Sequence, residues 1–440
     1  TFAHLIGYKR KTEERTGVED SYDTALREIP GEIRTERDAQ GNVISQEIIS
    51  LPKSGKSLVL WLDSDLQQKA VLALENILKT KGEGGTVIAL DPKTGGVLSL
   101  VSLPSFDNNL FSQGMTEEQW EELDQDSSDP LFNRAISGRY LTGSTIKPLI
   151  ASAALEEEII SPDKKINCQG LIEVEHTYEE ETTKFHDWWA HGWTDMRKAI
   201  AESCNVYFYT MGGGFGEQEG LGPTKIKEYL ELFGWQDLTG IDLPGEIEGF
   251  IPDKEWKKRA FPEDPGWWDG NTYYLSIGQQ YLQITPLEVV TSFSAIANGG
   301  KLLQPQVVKE IIDDKEMEPK IIRENFITPE NLQVVREGMR QAVTGKNSPQ
   351  ASATVLNSLP VPVAAKTGTA ELGGNRYHNW VTVFAPYEDP EIVLTVMIEN
   401  IKEVEVAALP VAKEILEWYF ANRASEGSEG QDEGEALIAW

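Results

Sequence analysis

The 440-residue chain is short of cysteine, of positive charge and of long hydrophobic runs. Cys168 and Cys204 are its only cysteines, too few for a disulfide framework. Lys and Arg number 40 against 71 Asp and Glu, a formal net charge of −31. Such a field repels phosphate backbones, so nucleic acid is excluded as a partner. No stretch approaches the roughly 18 apolar residues that a bilayer-spanning helix needs. There is no signal peptide and residue 1 is Thr rather than Met, so the expectation is a soluble, processed form whose upstream anchor is missing.

What is present is a large folding unit. At 40% hydrophobic residues the chain can bury one large core and a smaller one. Residues 1–82 are polar and turn-rich, with "REIPGEIRTERDAQGNVIS" reading as hairpin and loop. In "LQQKAVLALENILKT", Leu66, Ala70, Val71, Leu74, Ile77 and Leu78 recur at helical spacing. From residue 86, "TVIAL" and "VLSLVS" flank "DPKTGG", a hairpin signal, and "NWVTVFAP" and "EIVLTVMIE" flank "YEDP", a second one. Helical patterns occupy 195–212, 286–298, 329–344 and 407–422. Strands at both ends with helices between them predict one α+β domain whose sheet is assembled from distant segments. Residues 423–440 lack a periodic apolar face and read as an acidic, solvated tail.

Ser-x-x-Lys occurs three times. Ser50–Lys53 and Ser161–Lys164 sit in loop-like, proline-containing sequence. Only Ser144-Thr-Ile-Lys147 opens an apolar helix, where positions i and i+3 share a face. A serine hydroxyl is a poor nucleophile until a base takes its proton. A lysine amine serves as that base only when neutral, and burial among Leu149, Ile150 and the following alanines disfavours the ammonium. On its own the motif reads equally as an N-cap serine and a snorkelling lysine. Ser203-Cys204-Asn205 adds a second hydroxyl and an amide, able to relay a proton and hold a carbonyl, or reads as an ordinary helix interruption. Lys366-Thr367-Gly368-Thr369 follows "VPVAA" and is expected on a strand, where a cation and two hydroxyls suit a carboxylate. The other Lys-Thr-Gly, at 93–95, falls in a hairpin turn.

The ordered set Ser-x-x-Lys, Ser-x-Asn, Lys-Thr-Gly resembles that of penicillin-binding proteins and class A β-lactamases. "GGTVIALDPKTGGVLSLVSLPSFDNN", "TGIDLPGE", "YYLSIGQQYLQITPLEVV" and "AIANGG" are similar to the transpeptidase domain of the former. "AHLIGYKRK" through "GVEDSYD" resembles the pedestal of a class B, monofunctional member, and "HDWWAHGW" with "RKAIAESCNVYFY" resembles the elongation-type subgroup. Gln280 replaces the usual second Gly of "GQG", and "LWLDSDLQ" replaces a more typical Thr-Ile-Asp. The resemblance implies the penicillin-binding/serine β-lactamase-like fold, an antiparallel sheet with helices on both sides, over 83–422. It implies a partial elongated pedestal over 1–82.

It also implies a D,D-transpeptidase held in the cytoplasmic membrane with its catalytic domain outside the cytoplasm. Peptidoglycan stem peptides and β-lactams would be its ligands and a glycosyltransferase its partner. Ser144 would be the nucleophile and Lys147 the base. Ser203 and Asn205 would complete the relay, Lys366, Thr367, Gly368 and Thr369 would bind the donor carboxylate, and the amides of Ser144 and Thr369 would form the oxyanion hole. A serine β-lactamase and a non-catalytic receptor or scaffold are the rival readings.

No cofactor is needed for that chemistry. The resemblance extends to some elongation-type relatives that carry a zinc in the loop around "FHDWWAHGW", and implies that Cys168, Asp187, His191 and Cys204 would make a closed tetrahedral structural site here. A Cys168–Cys204 disulfide or two buried thiols are the alternatives, and His186 is an alternative to His191.

Overall fold

A computed structural model of the chain describes residues 2–10, 14–175, 182–314, 316–402 and 406–429. Its centre is a five-stranded sheet in the order Ala364–Gly373, Arg376–Ala385, Ile392–Lys402, Gly84–Leu90, Val97–Leu103. Every neighbouring pair is antiparallel. Two hairpins almost 300 residues apart in sequence therefore meet in one sheet, as the strand-bearing ends of the pattern predict.

The inner strand Gly84–Leu90 reads as an unbroken apolar run because both its faces are covered. Along Gly84–Leu90 the side chains alternate between two cores. Val87 and Ala89 join Leu66, Ala70 and Leu74 of the helix Ser64–Leu78 and Ile415 and Leu416 of the helix Ala408–Glu429. Ile88 and Leu90 face the opposite core, with Leu149 and Ile150 of Lys147–Glu156 and Val289, Val290 and Phe293 of Pro286–Ala297. The helix Ser64–Leu78, grouped by sequence with residues 1–82, thus contributes its buried face to the sheet.

The segment before it is tied on by fewer contacts. Leu58–Leu60 pairs with Val308–Ile311. The Tyr22 hydroxyl donates to Asp242 Oδ2 at 2.7 Å, and Asp242 also accepts from the amides of Val307 and Val308. The expected hairpin is present as Glu32–Arg37 and Val43–Ser50, with Ile33 opposite Ile48.

Two helical patterns differ from expectation. The run 195–212 is broken into Met196–Ala201 and Asn205–Gly213, because Ser203 takes a left-handed conformation, φ +56°. The last helix continues past 422 to Glu429, propagating from a turn already packed on the sheet. The remainder of the expected acidic tail, 430–440, lies outside the described residues.

Candidate active site

Ser144 occupies a 3-10 turn, Gly143–Ile146, that leads into Lys147–Glu156. Residues i and i+3 eclipse in a 3-10 turn, so Ser144 and Lys147 lie on the same side of it. Pro148 sits in the first turn of the following helix, where amides lack intrahelical acceptors. Behind it Leu149, Ile150, Ala151, Ala153 and Ala154 are all buried, which is the apolar run seen in the sequence.

Three backbones converge on that turn. Gly143 has φ +52°, and a Cβ there would lie 2.5 Å from Thr369 O. A Cβ on Gly368 would lie 2.7 Å from Thr142 O. The Gly143 amide donates to Gly278 O at 2.9 Å, so the "GQQ" segment forms the third wall. Lys366-Thr367-Gly368-Thr369 lies within the edge strand Ala364–Gly373, as expected. The copy at Lys93-Thr94-Gly95 is a turn bound by Asp91, whose carboxylate accepts from the Lys93 amide and the Thr94 hydroxyl.

Ser203 joins the two lysines. Lys147 Nζ donates to Ser203 O at 2.7 Å and Asn205 Oδ1 at 2.6 Å, with Ser203 Oγ at 3.4 Å. Lys366 Nζ donates to Ser203 Oγ at 2.9 Å and Thr367 O at 2.8 Å. Both amines are fully buried. Burial brings Lys147 down to about 8, against partial opposition led by the Asp187 charge. Burial and then the Lys147 charge hold Lys366 well below the ordinary lysine range. The short contacts of Lys147 use two donors, so a neutral amine satisfies both and keeps a lone pair.

A cavity of about 800 Å³ opens over this cluster, lined by Ser144, Ser203, Asn205, Thr367 and Thr369. The lysines lie beneath its floor and the hydroxyls on it. Trp188, Tyr209, Tyr274, Gln279 and Trp380 complete the walls. From sequence the aromatic stretch "PGWWDGNTYY" reads either as a wall of the groove to Ser144 or as packing under a loop, and it supplies Tyr274; no pattern pointed to the other four. Tyr274 lies at the end of the aromatic stretch "PGWWDGNTYY" and Trp188 in "FHDWWAHGW", whereas Trp380 is placed by a hydrogen bond from its indole to Leu141 O. Asn379, also missed, accepts the amides of Ala407 and Ala408 at the start of the last helix, 3.5 Å from the Thr369 hydroxyl on its donor side.

The residues singled out for a metal lie on the far side of the helix break. Asp187, His191 and Cys204 present one atom each, all within 4.8 Å of one another. Cys168 is adjacent through its sulfur, 2.8 Å from that of Cys204, and both cysteines are free and buried. His191 Nδ1 is 2.7 Å from Glu202 Oε2, while its buried Nε2 faces Asp187 Oδ1 at 3.5 Å and has no closer polar partner among the described residues. His186, the alternative, is exposed on the cavity rim. Glu202 lies in a helical pattern with no motif of its own, so sequence gave no sign of its part. The Asp187 carboxylate is pushed up by burial, but the His191 hydrogen bond, the Lys147 charge and the amides of Val206 and Asn205 outweigh this and leave it below the usual range.

The chain is similar to known proteins over most of its length. Residues 85–417 match the family model described as the penicillin-binding protein transpeptidase domain. The chain is 31% identical to peptidoglycan D,D-transpeptidase MrdA of Haemophilus influenzae, covering 96% of this chain and 68% of that protein. It is also 31% identical to the MrdA of Acinetobacter baumannii, where 96% of this chain spans 65% of the relative, just under two thirds. The fold superposes on penicillin-binding protein PBP2 from a complex with MreC of Helicobacter pylori with a TM-score of 0.81. That match has 27% identity and covers 96% of this chain and 78% of the other. The chain belongs to the penicillin-binding proteins, and residues 85–417 are their serine D,D-transpeptidase domain.

Proposed function

We propose that this protein cross-links peptidoglycan stem peptides through an acyl-enzyme on Ser144 and is a target of β-lactams. The observation that carries the reading is Ser203 Oγ standing between two buried lysine amines under the cavity that Ser144 lines.

Ser144 Oγ attacks the carbonyl of the penultimate D-alanine as neutral Lys147 Nζ takes its proton. The lone pair described above is what makes this possible, and it is available because burial has lowered that amine. The tetrahedral oxyanion sits between the amides of Ser144 and Thr369, where loss of one donor costs about 10²- to 10³-fold in rate. The bond to the terminal D-alanine breaks, and its nitrogen leaves with a proton passed from Lys147 through Ser203 Oγ. An amine of a neighbouring strand then attacks the ester, forms the new amide and returns a proton to Ser144. Asn205 holds the acyl chain, while Lys366, Thr367 and Thr369 hold the leaving carboxylate and Gly368 lets the strand lie against the serine turn.

Asp187, His191, Cys204 and Cys168 would hold a structural zinc. His191 Nε2, buried with only the Asp187 carboxylate facing it at 3.5 Å, and Nδ1, fixed by Glu202, match a metal-ligating imidazole and its outer partner. Its role is to pin the loop behind Ser203, outside the reaction. Metal analysis of chelator-free protein should give about one zinc per chain; none, with a disulfide by mass spectrometry, overturns this.

Residues 1–82 serve as the end of a pedestal and 83–422 as the catalytic domain. Among the described residues no helix is long and apolar enough to cross a membrane. By analogy with its relatives the protein works at the outer face of the cytoplasmic membrane, alongside a glycosyltransferase. The complex of the Helicobacter pylori protein with MreC supports assembly with partners.

The test is intact mass after incubation with a penicillin. A long-lived adduct, absent in Ser144→Ala, is expected. Loss of the adduct within minutes identifies a β-lactamase and overturns the assignment.

A further inference from the structure

Glu371 is the one carboxylate among the described residues that line the catalytic cavity. It follows Thr367 and Thr369 at the alternating positions of the edge strand, and all three line the cavity, whereas Lys366, Gly368 and Ala370 are buried. Its side chain is exposed and makes no ion pair or hydrogen bond within the described residues. Lys184, on the opposite rim, is already held by Glu173 at 2.9 Å. Glu371 is therefore a free charge aimed along the groove.

The strand carrying it has one neighbour in the sheet, so its other edge can receive an extended peptide. The argument rests on the reading above, in which Lys366, Thr367 and Thr369 hold the terminal carboxylate. From that anchor a donor peptide runs outward past Thr369 at about 3.4 Å per residue. Glu371 stands roughly 7 Å farther on by the same rise, opposite the residue that precedes the acylating D-alanine.

Cross-linking requires that the strands carry an amine, and the free carboxylate opposite that residue is what assigns the amine to it. Amide formation between strands needs a free amine on the acceptor, and donor and acceptor are strands of one polymer. The donor peptide therefore bears the same amine, charged near neutral pH, and a free carboxylate is its matching partner. We infer that Glu371 is a specificity-determining residue, binding the side-chain ammonium of the stem-peptide residue that precedes the acylating D-alanine.

The test uses two penicillins whose amide side chain is Nα-acetyl-lysine or its Nε-acetylated form, so that the lysine takes the place of that residue. Second-order acylation rates are followed by intact mass, and the ratio of the two is taken on one preparation, which cancels any inactive fraction. Wild type should favour the charged compound about fivefold, the range of a partly exposed ion pair. E371Q should bring the ratio to about 1, E371D should retain the preference, and E371K should reverse it. A ratio of 1 in wild type, or an unchanged preference in E371Q, overturns the role of Glu371 alone. If neither compound acylates wild type, the transpeptidase reading falls and this inference with it.

Discussion

Acylation should rise with pH along a limb whose midpoint is near 8. The perturbation is pH itself, and the group is Lys147, which burial holds at about 8. The sign follows from which form works: the neutral amine accepts the Ser144 proton, so activity grows as the ammonium is lost. With a value of about 8, roughly 9% of the amine is neutral at pH 7 and roughly 91% at pH 9, a tenfold gain. An unperturbed lysine, near 10.4, would give a still-rising curve with its midpoint above pH 10. The assay is the second-order rate of acylation by an uncharged-side-chain penicillin between pH 6 and 9.5, read by intact mass. Ser144→Ala gives the zero line. A profile flat across this range, or one still climbing at its upper end without curvature, refutes Lys147 as the base.

Other substitutions separate folding from chemistry. Ser203→Gly removes the hydroxyl that contacts both lysines while relieving a left-handed residue at φ +56°. Backbone relief of about 1 kcal/mol is offset by the lost acceptor of buried Lys366, about 1–3 kcal/mol, so stability should stay level or fall slightly, while acylation falls about 10²-fold or more; thermal melting and adduct formation on the same sample check the split. Gly143→Ala brings a Cβ to 2.5 Å from Thr369 O, forcing the serine turn off the strand. It should lose at least about 10²-fold in acylation, and a normal rate would show that the close approach is dispensable. Glu202→Gln weakens the support of His191 and should lower zinc affinity about 10- to 100-fold, measured by competition with a chromogenic chelator. Unchanged affinity would remove Glu202 from the metal's surroundings.

Much of this was legible in the sequence because the signals were local. The hairpins around "DPKTGG" and "YEDP" declare themselves by a turn between two apolar runs, and the sheet keeps both. The three motifs are each a few residues long, and their chemistry allows few roles. What escaped depends on contacts across long sequence separations. Gly278 is a plain glycine until its carbonyl is seen accepting from the Gly143 amide. Asn379 lies in an apolar strand, and only the fold reveals that its amide starts the last helix. The break at Ser203 was only half legible: Ser203-Cys204-Asn205 also reads as an ordinary helix interruption, yet the pattern 195–212 reads as continuous. "MRKAIAESCNVYFYTMG" carries good helix formers on both sides, and a single left-handed residue leaves no periodic trace.

That one interruption serves two neighbourhoods at once. It turns the hydroxyl of residue 203 toward the amines and the sulfur of residue 204 toward its partner thiol, the imidazole and the carboxylate. Adjacent side chains on a fixed backbone cannot be retuned separately. Inherited changes around "HDWWAHGW" will therefore show up as altered drug sensitivity even when they lie well away from the bound antibiotic, and suppressors of such changes should map to either side of the same bend.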